Sequence, residues 1–496
     1  MRKVPATHDN RAALLASRDD VVLEQRGEPA ACGQTTVFRQ DAGPFAAYER
    51  VVVASDKELT ETTSYRLIVP WFLWLFAWPM RRALARRDSR LASGVQPWWA
   101  PPDRLEPRQA MLLGLVAAGS MSAAFTNTLF TQTANFAAKD FGIGKTGQGL
   151  GGVFVRAGIV IALPLAFAAD RVGRRKMIVL AAWLAPLLSA LGALAPNFPV
   201  LVMTQSVARP MSLALELLLA VVITEEMPRN SRAYAVSVLA MASGLGAGIA
   251  VNGLRLADLG RSGWRLVYVL ALIWIVVAID MQRRLPETLR FEQVHVVAPP
   301  INRIRLIQIS SVSFFGNMFV APASFFQNRY LDDVRGMSAG GISNFTLGTA
   351  TPAALGLVVG GRLADMYGRR ILMVVLAPTS TALLVWSFTV GGAGLWAGAF
   401  GAGLLGGAAY PAFSVYRTEM FPTGNRGRAA GIITAAALLG GSIGIWVAGL
   451  LLDRGWSYGQ TMGTLALGEV ITILIVLTTY PETAHRELDD LNPGER

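Results

Sequence analysis

From residue 108 to about residue 480 the chain is written as long apolar blocks separated by short polar breaks. A helix crossing the bilayer core needs roughly 20 mainly apolar residues. Twelve blocks reach that length: 109–134, 146–169, 176–195, 198–223, 232–255, 264–282, 305–328, 338–364, 371–391, 394–417, 429–452 and 459–480. Breaks such as Pro196-Asn197-Phe198-Pro199 and Gly391-Gly392-Ala393-Gly394 predict tight hairpins between neighbouring spans. Residues 1–105 follow another pattern, polar and charged by turns. Val51-Val52-Val53 and Tyr65-Arg66-Leu67-Ile68-Val69 read there as short strands. The aromatic run from Pro70 to Trp78, closed by Arg81, Arg82, Arg86 and Arg87, is too short to span and predicts an interfacial helix over 70–87.

The apolar region says the same thing twice. Asp170-Arg171-Val172-Gly173-Arg174-Arg175 returns as Asp365-Met366-Tyr367-Gly368-Arg369-Arg370, an offset of 365 − 170 = 195. Pro286-Glu287-Thr288 returns at the same offset as Pro481-Glu482-Thr483. Two unrelated motifs sharing one offset imply a duplicated unit of six spans each. Duplicated bundles that bind a solute at their interface are a recurrent design of secondary transporters. The fold expected is therefore all-α, with twelve membrane helices in two pseudo-symmetric six-helix bundles and an N-terminal extension. The units read as 1–105 (extension), 106–285 (first bundle), 286–304 (linker, with Pro299-Pro300) and 305–496 (second bundle and tail).

Composition sharpens this reading. Apolar residues are 53% of the chain and charged ones only 16%, against about a quarter in soluble domains. A single cysteine, Cys32, excludes a disulfide framework, and His8, His295 and His485 all lie outside the apolar blocks. No nucleophile–base pair, metal cluster or nucleotide-binding loop is written in the sequence, which argues against an enzyme. The net charge of +12 is concentrated in alternate short loops, a topology signal and not a nucleic-acid footprint. Arg174, Arg175, Lys176, Arg229, Arg283, Arg369, Arg370 and Arg428 fall on one side, which places both termini in the cytoplasm of a multi-pass protein of the plasma or inner membrane.

Gly361-Arg362-Leu363-Ala364-Asp365-Met366-Tyr367-Gly368-Arg369-Arg370 closely resembles the signature that links helices 2–3 and 8–9 in the major facilitator superfamily. Its first copy, Ala166 to Arg175, has Ala166 where the family has glycine. With twelve spans, the resemblance covers 105–490. It implies that Asp170, Gly173, Arg174 and Arg175, with Gly361, Asp365, Gly368, Arg369 and Arg370, latch the cytoplasmic side in the outward-open state. Glu419-Met420-Phe421-Pro422 with Arg426-Gly427, and the looser copy Glu226-Met227-Pro228 with Arg232, resemble a sugar-porter segment. By that resemblance Glu226, Arg232, Glu419 and Arg426 join the same ion-pair network. Both P-E-T endings also resemble that branch.

Departures matter too. Residues 110–135 hold no acid, where sugar–proton symporters carry one. The paired glutamines expected in segment 7 are missing, and Gly244-Leu245-Gly246-Ala247-Gly248 lacks the proline of the drug-export branch. In the extension, the strand-then-helix order resembles the C-terminal part of a START-like ligand-binding domain, with a partly ordered cytoplasmic arm as the alternative.

Substrate chemistry then rests on polar residues inside the membrane, which are costly and usually functional. Segment 4 carries Gln205, Arg209, Ser212 and Glu216 on one stripe, with Arg209 and Glu216 about 10 Å apart along the axis. Ser120, Asn127, Thr131 and Asn135 form a stripe on segment 1, and Ser313, Asn317, Ser324 and Asn328 one on segment 7. Arg156 lies about 21 Å along its helix from Asp170, at a depth similar to Arg209. Arg156, Arg209, Gln205, Glu216, Asn127, Thr131, Asn317 and Tyr410 are the candidates for substrate binding and coupling. Two cations at mid-membrane suit an anionic substrate, and Glu216 offers a carboxyl to carry a proton.

The expectation is a proton-coupled transporter importing a small organic solute, an organic anion or a sugar-like compound. The proton gradient is its energy source and no cofactor is expected; its partners are the substrate, protons and the lipid bilayer, with no nucleic acid, and it works as a monomer. Two rivals remain. An exporter of hydrophobic compounds would use Phe314, Phe315, Phe319, Phe325, Phe326 and Tyr410, and a non-transporting sensor would use the N-terminal segment as its output.

Overall fold

The computed structural model describes residues 2–27, 35–55, 57–85, 97, 99–101, 103–158, 172–228, 231–287, 301–421 and 426–482. Residues 288–300 of the expected linker lie outside these.

Among its described residues the extension carries a five-stranded sheet and two helices. Its strands are longer than the sequence suggests: β1 (Arg2–Pro5), β2 (Leu23–Arg26), β3 (Thr35–Ala42), β4 (Phe45–Ala54) and β5 (Glu58–Leu67). They form one antiparallel sheet in the order β1-β5-β4-β3-β2. A short helix, α1 (His8–Leu15), precedes β2, and α2 (Leu73–Ala85) follows β5. Met80, Ala83 and Leu84 of α2 pack on Val22, Phe45 and Tyr48. Beneath them Arg50 is fully buried and bonded to Glu24, while Tyr48 donates to Glu24 Oε1 at 2.6 Å. Burial, and then the Glu24 carboxylate, push that phenol well above its ordinary range. The opposite face of α2 is exposed, with Trp74 at 74% and Trp78 at 66%.

The two bundles follow in sequence order. The first comprises α3 (Pro107–Asp140), α4 (Lys145–Ala157), α5 (Arg174–Ala190), α6 (Phe198–Glu226), α7 (Arg232–Gly253), and a sixth span interrupted by a 3-10 stretch between α8 (Trp264–Val269) and α9 (Ile275–Arg284). The second comprises α10 (Arg303–Asp333), α11 (Ala339–Tyr367), α12 (Arg369–Ser387), α13 (Gly392–Glu419), α14 (Arg426–Asp453) and α15 (Tyr458–Thr479). Nine of the described helices are long and apolar enough to cross a membrane. The other three expected spans are α4, whose continuation over 159–171 lies outside the described residues, and the 29- and 28-residue helices α11 and α13.

Caps and small residues explain why these elements form and fit. Glu106 and Gln109 make a reciprocal capping box before α3, and Ser457 and Gln460 do so before α15. Asn197, Asn302 and Ser338 each accept a backbone N–H at the start of their helices. Helices inside a membrane approach closely where side chains are small. A Cβ added at Gly440 or Gly444 would lie 2.1 Å from Phe314 O or Met318 O, so α14 can lie flush on α10. Gly356 and Gly360 meet Leu404 O and Ala408 O in the same way, seating α11 on α13, and Gly246 meets Met121 O to seat α7 on α3.

Candidate functional site

The polar residues of the membrane interior divide into two clusters in the first bundle. In one, Arg209 Nε donates to Asn127 Oδ1 at 2.8 Å, joining α6 to α3. Arg156 of α4 acts electrostatically on Arg209, and the two guanidiniums repel. Arg156 itself is half-buried, with no hydrogen-bond or ion-pair partner among the described residues. It reaches the second bundle: a Cβ added at Gly441 of α14 would lie 2.9 Å from Arg156 Nη1 and 3.6 Å from Asn317 O of α10. Asn317 turns its amide to Ser313 O at 3.2 Å. An unpaired cation thus stands at the seam between bundles, where an anionic group could bind it.

The second cluster holds the acid. Ser243 Oγ donates to Glu216 Oε1 at 3.2 Å and lies 2.7 Å from Ser120 Oγ, which reaches Leu239 O at 3.3 Å. Glu216 is therefore bonded through α7 to α3, not to Arg209, as the spacing along α6 requires.

Other candidates go elsewhere. Gln205, placed by spacing on the Arg209 stripe, is 1% exposed and donates to Ser189 O of α5 at 3.3 Å. Its amide fills the gap left by Gly192 within the bundle, and it joins neither cluster. Ser212 bonds its own helix at Ala208 O, 3.2 Å away. Thr131 is half-buried and Tyr410 is 60% exposed, and no hydrogen bond ties either to the two arginines. One group escaped the sequence reading. Glu469 on α15 is 8% exposed, and its Oε1 is buried without a hydrogen-bond partner among the described residues. An acid in an apolar 22-residue segment was the available signal.

The motif copies meet each other. Gly173 (φ 111°) and Gly368 (φ 98°) adopt backbone angles that only glycine takes without strain. Each opens the helix that follows, and a glutamate from the P-E-T ending caps that helix. Glu287 accepts from Arg175 N at 3.0 Å, and Glu482 from Arg369 N and Arg370 N at 2.9 and 3.1 Å. Arg175 binds Leu285 O and Gln282 O, and Arg370 binds Leu477 O. Glu226 lies 3.7 Å from Arg108 and accepts, through its backbone, from Gln109. Asp170 lies outside the described residues, as do the surroundings of Gly361 and the side chains of Arg232, Asp365, Glu419 and Arg426. Arg174 and Arg369 stand at the starts of α5 and α12.

At the opposite end the bundles are joined by contacts that the sequence reading did not foresee. Lys139 pairs with Asp332 and Asp333 at 2.6 and 2.7 Å, and Asn135 donates to Asp332 at 2.8 Å. Arg329 donates to Gln148 at 2.6 Å, and Asn328 to Gln132 at 2.9 Å. Two aspartates then cap helices of the opposite bundle. Asp453 accepts from Lys145 N and Thr146 N at 3.1 and 2.7 Å; Asp258 accepts from Ala339 N and Gly340 N, both at 2.7 Å. These two acids are themselves one repeat apart, 453 − 258 = 195.

Comparison with known proteins agrees with this architecture. Residues 114–338 and 306–493 match the family model of the Major Facilitator Superfamily. A curated relative, the cis,cis-muconate transport protein of Acinetobacter baylyi, is 25% identical over 227 residues, or 39% of this chain and 51% of that protein. The chain thus matches about half the length of that relative. Among solved structures, a bacterial homologue of the human lysosomal transporter Spinster, inward-facing and occupied, superposes with a TM-score of 0.63 at 17% identity, covering 75% of this chain and 97% of that one. The inward-open xylose transporter XylE of E. coli gives 0.63 at 16% identity, covering 77% and 98%. Both share the fold.

Proposed function

Because the chain belongs to the major facilitator superfamily, we propose that it is a secondary transporter that couples proton movement to the passage of a small organic anion by alternating access. The observation that carries the reading is Arg156, a cation unpaired among the described residues, at the seam between the bundles and beside Arg209. Two guanidiniums held against their mutual repulsion suit a carboxylate, which would take charge-assisted bonds from both. The relative named for cis,cis-muconate, itself a dicarboxylate, supports that substrate class. The rival exporter of hydrophobic compounds loses part of its basis, since Phe319, Phe325 and Phe326 are 1%, 2% and 0% exposed and belong to the core.

In this reading the basic end faces the cytoplasm, with both termini there, and the protein lies in the plasma or inner membrane. The network from Lys139 to Asp453 then closes the outer side, as in an inward-facing state. The test is uptake into proteoliposomes under an imposed proton gradient, with mono- and dicarboxylates, sugars and cationic dyes as solutes. Carboxylate-driven proton flux is expected. Arg156→Ala should raise the KM for a carboxylate about 10- to 100-fold, the equivalent of one lost charge-assisted hydrogen bond. Arg209→Ala should abolish uptake. Flux with dyes alone would transfer the assignment to an exporter.

A further inference from the structure

The N-terminal unit is fastened to the first bundle at its basic end. Pro70 sits so close to α3 that a Cβ at Gly114 would lie 2.7 Å from its Cδ. Trp71 Nε1 donates to Asp280 at 3.0 Å, Asp103 N to Ser231 Oγ at 2.8 Å, and Tyr234 OH to Trp99 O at 3.1 Å. Arg104 ties the segment before α3 to Asp19 and Asp20. Between these fastenings lies a cavity of about 420 Å³, bounded by Phe72 just before α2, Phe76 and Met80 of α2, Leu113 of α3, and Met241 and Leu245 of α7.

The walls of this cavity are hydrocarbon and aromatic. The few polar side chains on its boundary, Tyr234, Ser237 and Arg104, are already engaged, Tyr234 with Trp99 and Arg104 with Asp19 and Asp20. A lining so largely apolar suits an apolar chain better than a polar solute. Met241 is 64% and Leu245 55% exposed on a helix long and apolar enough to cross a membrane, and in a bilayer the medium around such exposed side chains is lipid. The roof, α2, turns Trp74 and Trp78 outward, with Arg82 stacked on Trp78 at 5.3 Å. Tryptophans with adjacent arginines belong at the headgroup level. The cavity volume falls in the range of small-ligand sites, roughly 300–1,000 Å³.

From this geometry we infer that the junction between the N-terminal unit and the first bundle binds one acyl chain of a bilayer phospholipid, entering sideways between α2 and α7. The chain fills the space under α2, and the headgroup stays at the interface beside Arg81 and Arg82. The extension is thereby joined to the transporter through a lipid as well as through its own side chains. This site is separate from the polar seam and stands whether or not the substrate is an anion.

Photo-crosslinking of the full-length protein in nanodiscs tests the inference. The probe is a phosphatidylglycerol with a diazirine on one acyl chain, run beside a diazirine-labelled free fatty acid at equal mole fraction. The expected result is phospholipid adducts concentrated on the peptides carrying Phe76, Met80 and Met241, at least 5-fold above other lipid-facing peptides. Val238→Trp and Ala242→Phe, which narrow the cavity, should each remove that excess while leaving background labelling and the elution profile unchanged. In the wild-type protein, excess unlabelled phosphatidylglycerol should compete the excess away, a readout that needs no variant to fold. Labelling spread evenly over all lipid-facing helices would overturn the site. Enrichment by the fatty acid but not by the phospholipid would overturn the bilayer-lipid assignment.

Discussion

Arg156 and Arg209 were equivalent by depth, yet they play different parts. Asn127 holds Arg209 in one orientation, whereas Arg156 faces the seam without a partner among the described residues. Glu216 and Glu469 differ in the same way: Glu216 accepts from Ser243, and the buried Oε1 of Glu469 has no partner among the described residues. A carboxyl that works with protons must change its bonds as the bundles move, and Glu216 sits in a hydroxyl chain joining three helices of one bundle. Glu216→Gln preserves shape and the Ser243 contact but removes the titrating group. It should flatten the dependence of uptake on the proton gradient while leaving substrate counterflow within about 3-fold. Glu469→Gln, measured in the same two assays, should keep its gradient dependence. Unchanged gradient dependence in Glu216→Gln, with loss of it in Glu469→Gln, would move the coupling role to α15.

Helix starts carry much of the order at the basic end. Gly173 and Gly368 combine positive φ with extended ψ, and placing alanine in such a glycine-only conformation costs about 1–3 kcal/mol from the backbone alone. At Gly368 the new Cβ would also lie 2.6 Å from Glu482 Oε2, against 3.3 Å between Gly173 and Glu287 Oε2. Gly368→Ala should therefore lower the thermal midpoint more than Gly173→Ala, and Glu482→Ala should cost about 0.5–2 kcal/mol as a lost cap. Equal midpoints for the two glycine variants would show that Glu482 yields freely. The sequence displayed both motifs and their common offset, but not that one caps the other, because a contact more than 100 residues away leaves no local pattern. Spans were legible for a different reason: the bilayer imposes a length and a composition on each. That Gln205 meets Ser189 of α5 was not legible, because helical spacing names a face and not the neighbour that the face meets. The sheet in the extension was under-read, since its alternation is interrupted by charged residues such as Arg50 that fold inward to meet Glu24.

Across the whole molecule, duplication has produced a closure as well as a fold. Asp258 and Asp453 occupy equivalent positions, and each caps a helix of the bundle to which it does not belong. A carboxylate at an exposed helix N-terminus contributes about 0.3–1 kcal/mol. Both caps must break for the bundles to separate at this end, so their contributions fall entirely on the closed state. Asp258→Asn with Asp453→Asn should therefore shift the population toward the alternate state by roughly 3- to 30-fold, with each single variant giving about the square root of that change. The two sites share no side-chain partner, which is the condition for such additivity. The measurement is labelling of Thr131→Cys by an impermeant thiol reagent applied from this side, in a background with Cys32, the single cysteine, replaced by serine. Faster labelling in the double variant, and intermediate rates in the singles, is the expected pattern. If one aspartate alone accounts for the whole change, the closure is asymmetric despite its origin, and the Lys139–Asp332–Asp333 cluster on α3 and α10 holds the other half of the seam.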